Sequence, residues 1–284
     1  MTQSGELENV GTKFSQVLDA AARLPGVRIN RASYLRTALT RYCTDEQIER
    51  AIAKSPAAAG IPLDIITEAA NTSIATETRK VTAISALAGV PGGFAMIGTV
   101  PADLAQYLGH MLRISQKLAY IYGWPDLFSE GGQELDETTE SLLTLFVGVM
   151  FGVQLAQSGV ATVATMIAST VARKLPQKAL TKGAIYPIVK KVAAYLSVNM
   201  TKKLFASGVA KAIPVVGAVL SGGLTFGTFR PMSKRLQKHL ASLELTKPEH
   251  RVETAIQDAP IDHAEDDATS SIKGPRPARI PRSD

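Results

Sequence analysis

Asp103 and His110 are the side chains whose types and spacing come closest to acid–base chemistry, and they lie seven residues apart. On one helix, two turns separate such positions by roughly 10 Å, which is too far for direct proton transfer between them. We therefore interpret Asp103 as a residue of a helix start, where the helix dipole favours a carboxylate. His110 is interpreted as a surface or interface residue, and no catalytic residue is predicted.

The sequence also gives little indication of a metal site or of a catalytic nucleophile. Cys43 is the one cysteine, so it has no internal disulfide partner, and its place beside Tyr42 on an apolar stripe indicates a small buried hydrophobe. The four histidines are scattered along the chain, and no phosphate-binding loop, nucleophile elbow or zinc motif is present. We expect no cofactor, no metal and no enzymatic activity.

The elements that could position any site are predicted to be helices. Asn30 can cap one helix, Thr44 with Gln47 forms a capping box for the next, and a longer helix is expected to begin near Pro62. No alternating run rich in β-branched residues and no hairpin signal occurs. The 284 residues, 45% of them apolar, thus predict an all-α fold, a helical bundle with glycine-rich apolar helical hairpins.

The best-defined helix follows Pro101. Its apolar residues recur at helical spacing from Leu104 to Tyr122, and Gly123 with Pro125 is expected to end it. Four polar residues fall on the opposite side: His110, Arg113, Gln116 and Lys117. This pattern predicts an amphipathic helix with one face in a core.

Charge is distributed unevenly along the chain. Residues 141–245 hold 13 basic residues and one acidic residue, Glu244, whereas residues 246–284 hold six basic and eight acidic ones. A field of one sign favours anionic partners, either lipid headgroups or nucleic-acid phosphates. The alternative is the solvated surface of a basic protein. No nucleic-acid-binding motif accompanies the bases, so we expect a membrane and not a nucleic acid.

Three windows carry no charge, namely 81–102, 141–172 and 212–229. Pro91, Gly92 and Gly93 interrupt the first, while the second could be one membrane span or two helices turning near Gly159. The third is expected to break at Pro214 and again at Gly222 and Gly223, as a re-entrant, interfacial or buried helical hairpin. Buried core of a soluble bundle is the alternative for all three.

Bases border the third window on both sides, and their side chains could meet anionic lipid while the window enters the headgroup region. The candidate membrane-contact residues are Lys202, Lys203, Lys211, Arg230, Lys234, Arg235 and Lys238.

Glycines four residues apart occur in each window, at 89 and 93, at 148 and 152, and at 223 and 227. This spacing allows helix backbones to approach closely, in lipid or in a soluble core. We divide the chain into an N-terminal helical segment, 1–60, a main helical domain, 61–245, and a tail, 246–284, expected to be disordered because it offers little apolar surface.

Two stretches resemble the EcsC family of bacterial proteins, named from an operon that encodes an ABC transporter. One is Ala83-Ile-Ser-Ala-Leu-Ala-Gly-Val-Pro-Gly-Gly, with Thr99-Val-Pro-Ala-Asp-Leu and Tyr120-Ile-Tyr-Gly-Trp; the other is Lys211-Ala-Ile-Pro-Val-Val-Gly-Ala-Val-Leu. The resemblance covers roughly residues 60–240 and implies an all-helical protein at or near a membrane. It brings no catalytic residues with it.

Two functions stay open. One is a non-enzymatic helical protein at the cytoplasmic face of a membrane, accessory to a membrane complex such as a transporter. The other is a soluble helical adaptor or scaffold with a large buried apolar core. No secretory signal precedes Thr12, so a cytoplasmic, membrane-associated location is expected.

Overall fold

The computed structural model describes residues 14–88, 102–128, 135–169, 174–210 and 214–247, and within these ranges the chain is all-helical with no strand. The predicted fold class is confirmed. The helices are α1 (14–22), α2 (Arg31–Leu39), α3 (Asp45–Ala53), α4 (Leu63–Ala88), α5 (Ala102–Ile121), α6 (Glu137–Phe151), α7 (Gln154–Ala168), α8 (Gln177–Thr181), α9 (Tyr186–Ala210) and α10 (Pro214–Ala241), followed by a 3-10 turn, Glu244–Thr246.

Side-chain caps begin several helices where the sequence predicts them. The Asn30 side chain accepts from the Ser33 amide at 2.8 Å and starts α2. The capping box of Thr44 and Gln47 is confirmed at the start of α3, because each side chain accepts from the other residue's backbone N–H. These bonds satisfy donors that the first turn of a helix leaves without partners.

A buried arginine joins α2 to the end of α3. Arg31 is only 8% exposed, and its guanidinium donates to the backbone carbonyl oxygens of Ile52, Ala51 and Lys54 at 2.6, 3.2 and 3.1 Å. Its Nε also donates to the carbonyl oxygen of Trp124, just beyond α5, at 3.1 Å. One side chain therefore closes the end of α3 and connects it to the main bundle.

Helix α6 lies at the centre of the bundle, and every side chain from Leu142 to Met150 is buried. The Trp124 ring packs edge-on against Phe146, with ring centroids 5.0 Å apart. Gly148 brings α6 close to two neighbours: a Cβ there would lie 2.6 Å from Val192 Cγ1 of α9 and 2.7 Å from Ala156 Cβ of α7. Gly148, the first glycine of the pair at 148 and 152, thus allows the close approach of helices that the spacing predicts.

Helices α4 and α10 pack antiparallel. Lys234 bonds to the Asn71 side chain, and one turn further along α10 the amide of Gln237 donates to Asn71 Oδ1 and to the carbonyl oxygen of Thr67. Helix α5 packs on both, as its Tyr107 ring meets the Phe229 ring edge-on at 6.2 Å.

The second uncharged window forms two helices, α6 and α7. The turn is at Gly152, whose φ of 84° only glycine adopts easily, and not near Gly159 as the sequence suggested. Gly159 lies within α7, where a Cβ would contact Leu145 of α6 at 3.2 Å. Gly159 therefore allows α7 to pack closely on α6, and the chain does not turn there.

The break expected inside the third window was wrong. Helix α10 runs without interruption from Pro214 through Gly222, Gly223 and Pro231 to Ala241. Proline is favoured in the first helical turn, where its missing N–H leaves no bond unmade, so Pro214 starts the helix and does not break it. Of the first window, 89–101 lies outside the described residues.

Residues on both sides of the predicted boundary at 60/61 contribute to one hydrophobic core, which extends from Phe14 to Leu245. The structure describes the chain as far as Lys247, and the predicted disordered tail lies outside the described residues beyond that point.

Candidate functional site

The seven predicted membrane-contact residues have different surroundings. Lys211 lies outside the described residues, and Lys202 and Lys203 belong to α9. Arg230 and Lys238 are exposed on α10.

Lys234 and Arg235 bond to neighbouring helices, Lys234 from a half-buried position and Arg235 from an exposed one. Lys234 bonds to the Asn71 side chain of α4. Arg235 Nη1 donates to the carbonyl oxygen of Met150 at 2.5 Å, at the end of α6, where the helix dipole favours a positive charge. Both residues hold α10 against the bundle, so a charge reversal at either would disturb packing as well as surface charge.

Several exposed lysines lie on α8 and α9 and in the segments beside them. They are Lys174, Lys178, Lys182, Lys190 and Lys191. The sequence has no acidic residue from 141 to 243, so no carboxylate of this stretch offsets those charges. Sequence charge counts predict the basic stretch, but only the structure shows which of its members face outward.

Large apolar side chains are also exposed on α9 and on the neighbouring α7. On α9, Tyr195 is 45% exposed and Val198 is 43% exposed, and both follow Lys191 at intervals that keep them on one helix face. Leu155 of α7, which packs next to α9, is 46% exposed. We call this combined area of α7, α8 and α9 the basic face.

The outward side of α7 has no charge, and its hydroxyl groups bond to their own helix. Thr162 donates to the carbonyl oxygen of Ser158 at 2.9 Å, and Thr165 donates to that of Ala161 at 3.1 Å. These hydroxyl groups already donate within the helix. The surface of α7 is therefore less polar than its composition suggests.

A buried ion cluster lies elsewhere in the bundle, between α4 and α5. The Glu77 side chain is fully buried, and Lys117 Nζ lies 2.6 Å from its Oε1 atom. Arg113 donates to Oε1 through Nη2 at 3.2 Å and to Oε2 through Nε at 3.3 Å. His110 Nδ1 lies 3.3 Å from Oε2, and Lys80 Nζ lies 4.0 Å from Oε1.

This environment sets the charge of the carboxyl group. Burial by itself raises the pKa of Glu77, but the hydrogen bond with His110, the charge of Lys117 and the bonds from Arg113 and Lys117 outweigh it. The net effect holds the pKa of Glu77 well below its usual range. For Lys117, burial lowers the pKa while the Glu77 carboxylate opposes that shift.

His110 is buried, at 8% exposure; of the two sequence interpretations, a surface or an interface residue, the surface one is wrong, because His110 lies between α5 and α4 against Glu77. The polar side of α5 faces Glu77 of α4, so both sides of α5 are covered by protein. A sequence signal for this existed: Glu77 falls at helical spacing between the buried residues Ile74 and Val81, where an apolar side chain is expected.

The remaining candidates stay without a chemical role. Cys43 is half-buried, and burial raises the pKa of its thiol. Asp103 is the second residue of α5. Among the described residues, no group of histidine, cysteine and carboxylate side chains could hold a metal ion.

The described helices were also compared with the length and apolarity that a bilayer requires. Within the described ranges, no helix meets both requirements for crossing a membrane.

The chain was compared with protein-family models, with curated proteins and with solved structures. None of the three comparisons finds a match.

Proposed function

We propose that this chain is a non-enzymatic helical protein that binds the cytoplasmic face of a membrane through its basic face, as an accessory to a membrane complex such as a transporter. The observation that carries the proposal is the exposure of Tyr195 and Val198 on the same face of α9 as Lys191, on a helix that contains no carboxylate, with Leu155 exposed on the neighbouring α7. The association with a transporter rests on the resemblance to the EcsC family.

Electrostatics supports a lipid surface as the partner. Each lysine near an anionic membrane contributes about 1 kcal/mol, and that attraction weakens as salt is added. Five exposed lysines on the basic face would give an attraction of several times that amount when they approach the surface together. The lysine stems are apolar, so they can lie beside Tyr195 while their ammonium groups meet phosphates.

The exposed apolar residues supply a second contribution. Tyrosine is favoured at the membrane–water interface, because its ring is apolar and its hydroxyl is polar. Val198 and Leu155 would enter the headgroup–acyl boundary, and the hydroxyls of Thr162 and Thr165 are already bonded within α7. This arrangement describes binding at the surface of a bilayer.

Sedimentation with vesicles tests the proposal. Purified protein should sediment with vesicles containing phosphatidylglycerol and stay in solution with neutral phosphatidylcholine vesicles. The double variant Lys178→Glu/Lys191→Glu should bind the anionic vesicles at least about tenfold more weakly. The matched control is Arg41→Glu/Arg50→Glu, which makes the same charge change at exposed positions around α3 and should bind normally.

One observation favours the second candidate, a soluble adaptor or scaffold. The second uncharged window is buried in the core as α6 and the inner side of α7, as expected if such windows serve packing alone. Sedimentation that does not depend on lipid charge, or an equal loss in both double variants, would reject the membrane proposal and support this one.

A further inference from the structure

The Glu77 cluster holds more positive charge than its carboxylate can balance. Lys80, Arg113 and Lys117 each carry one positive charge at neutral pH, so the cluster retains two when His110 is neutral. The like charges of Arg113 and Lys80 act on Lys117 against the effect of Glu77. A partly buried site with unbalanced charge favours an anion, because the attraction is screened less there than in water.

Hydrogen-bond donors are also left over. An ammonium group has three N–H donors and a guanidinium has five, and Glu77 occupies one donor of Lys117 and two of Arg113. Arg113 Nη1 faces the backbone of Gly26, where a Cβ atom would lie 3.4 Å from it. The guanidinium therefore packs close to the backbone at Gly26, and a side chain there would press on Nη1.

The cations of the cluster are accessible to solvent to different degrees. The side chains of Lys117 and Arg113 are 12% and 19% exposed, while that of Lys80 is 52% exposed. Glu77 itself is inaccessible. A ligand could therefore reach the cations from solvent without displacing the carboxylate that orients them.

We propose that Lys80, Arg113 and Lys117 form a binding site for a phosphate group, whose two negative charges balance the two positive charges that Glu77 leaves over. A phosphomonoester is doubly charged above about pH 6 and has three acceptor oxygens. Arginine presents paired donors that match such oxygens, and lysine adds a compact charge.

The cluster and the basic face lie on different sides of the bundle. Helices α4 and α5 pack on α10 and α6, and α6 and α10 in turn contact α9. A chain docked on a membrane by its basic face would direct the cluster away from the lipid, so we expect a soluble phosphate compound as the ligand. The phosphate site itself does not depend on the proposed membrane function, whereas the expectation of a soluble ligand rests on it.

Titration calorimetry of the full chain with inorganic phosphate, at constant ionic strength maintained with sodium chloride, tests the site. Saturable binding at one site is expected. The variant Lys80→Ala removes a half-exposed cation and should weaken binding about tenfold, in line with one charge-assisted hydrogen bond. Arg79→Ala removes an exposed charge from the adjacent residue and should leave the affinity unchanged.

Two further measurements distinguish a lipid phosphate from a soluble one, and the phosphate site from the membrane proposal. The first measures binding of Lys80→Ala to vesicles containing phosphatidic acid and to vesicles containing phosphatidylglycerol. If the variant binds more weakly only to the phosphatidic acid vesicles, the phosphate group belongs to a lipid. Lys178→Glu/Lys191→Glu should leave the titration with inorganic phosphate unchanged, even where it abolishes vesicle binding. The proposal is overturned if phosphate gives no saturable heat, or if Arg79→Ala weakens binding as much as Lys80→Ala does.

Discussion

Lys117 Nζ and Glu77 Oε1 lie 2.6 Å apart, although their residues are 40 positions apart in the chain. The pair joins α5 to α4 at a place where the carboxylate has no access to solvent. A buried carboxylate of this kind needs its partners, because its own desolvation costs several kcal/mol.

Glu77→Gln should lower the free energy of unfolding by about 3–5 kcal/mol, because it leaves Lys117 and Arg113 partly buried without their counter-ion. Urea denaturation followed by circular dichroism measures the loss. The matched control is Glu49→Gln, which removes an exposed carboxylate 2.6 Å from Arg36 and should cost less than about 1 kcal/mol. Equal losses in the two variants would contradict a special role for the buried site.

The pH dependence of stability should also depend on Glu77. Its pKa in the folded protein lies below that of an unfolded glutamate, about 4.3, so the unfolded state takes up a proton first as the pH falls. The stabilisation is complete above that value and is lost progressively below it. Unfolding measured from pH 6 down to pH 3 should show a steeper loss for the parent chain than for Glu77→Gln, and parallel curves would contradict this assignment.

Arg31→Lys should destabilise the protein by about 2–3 kcal/mol, because one ammonium group cannot reach the four backbone carbonyls that the guanidinium reaches. The conservative control is Arg36→Lys, at an exposed position of the same helix. Thermal unfolding should show a lower midpoint for the first variant alone. A normal midpoint in Arg31→Lys would mean that water replaces the missing bonds.

Gly148→Ala and Gly227→Ala should change stability in opposite directions. At Gly148 the new methyl group would meet Val192 and Ala156 well inside contact distance, at a cost of roughly 1–3 kcal/mol. At Gly227 no atom lies within 4 Å, and alanine is favoured over glycine in a helix by up to about 1 kcal/mol. Denaturation midpoints of the two variants test this, and a loss at both would contradict the packing described for α10.

Sequence signals from neighbouring residues predict where the helices of this fold begin and end. They predict less well which helices pack against each other. The caps at Asn30 and Thr44 depend on neighbouring residues alone, so sequence and structure agree there. The turn at Gly152 depends instead on how α6 and α7 pack, and spacing within the window did not identify it.

The candidate sites also depend on packing that neighbouring residues do not reveal. A basic stretch is visible in the sequence, yet nothing local distinguishes exposed Lys191 from half-buried Lys234, which bonds to the Asn71 side chain. The spacing of Glu77 between Ile74 and Val81 indicates burial, but three of its four partners come from α5, which the sequence does not place beside α4. Contacts between distant segments define both sites, and a single sequence does not show them.

The burial of α6 constrains how this protein can change over evolutionary time. No ligand or partner can contact the side chains from Leu142 to Met150 without separating the surrounding helices. Substitutions there should conserve volume whatever the protein binds, whereas those at Tyr195 and Val198 should conserve apolarity and tolerate changes of shape. Residue variation among diverged copies of this chain should therefore be limited by packing in α6 and by binding to a partner in α9.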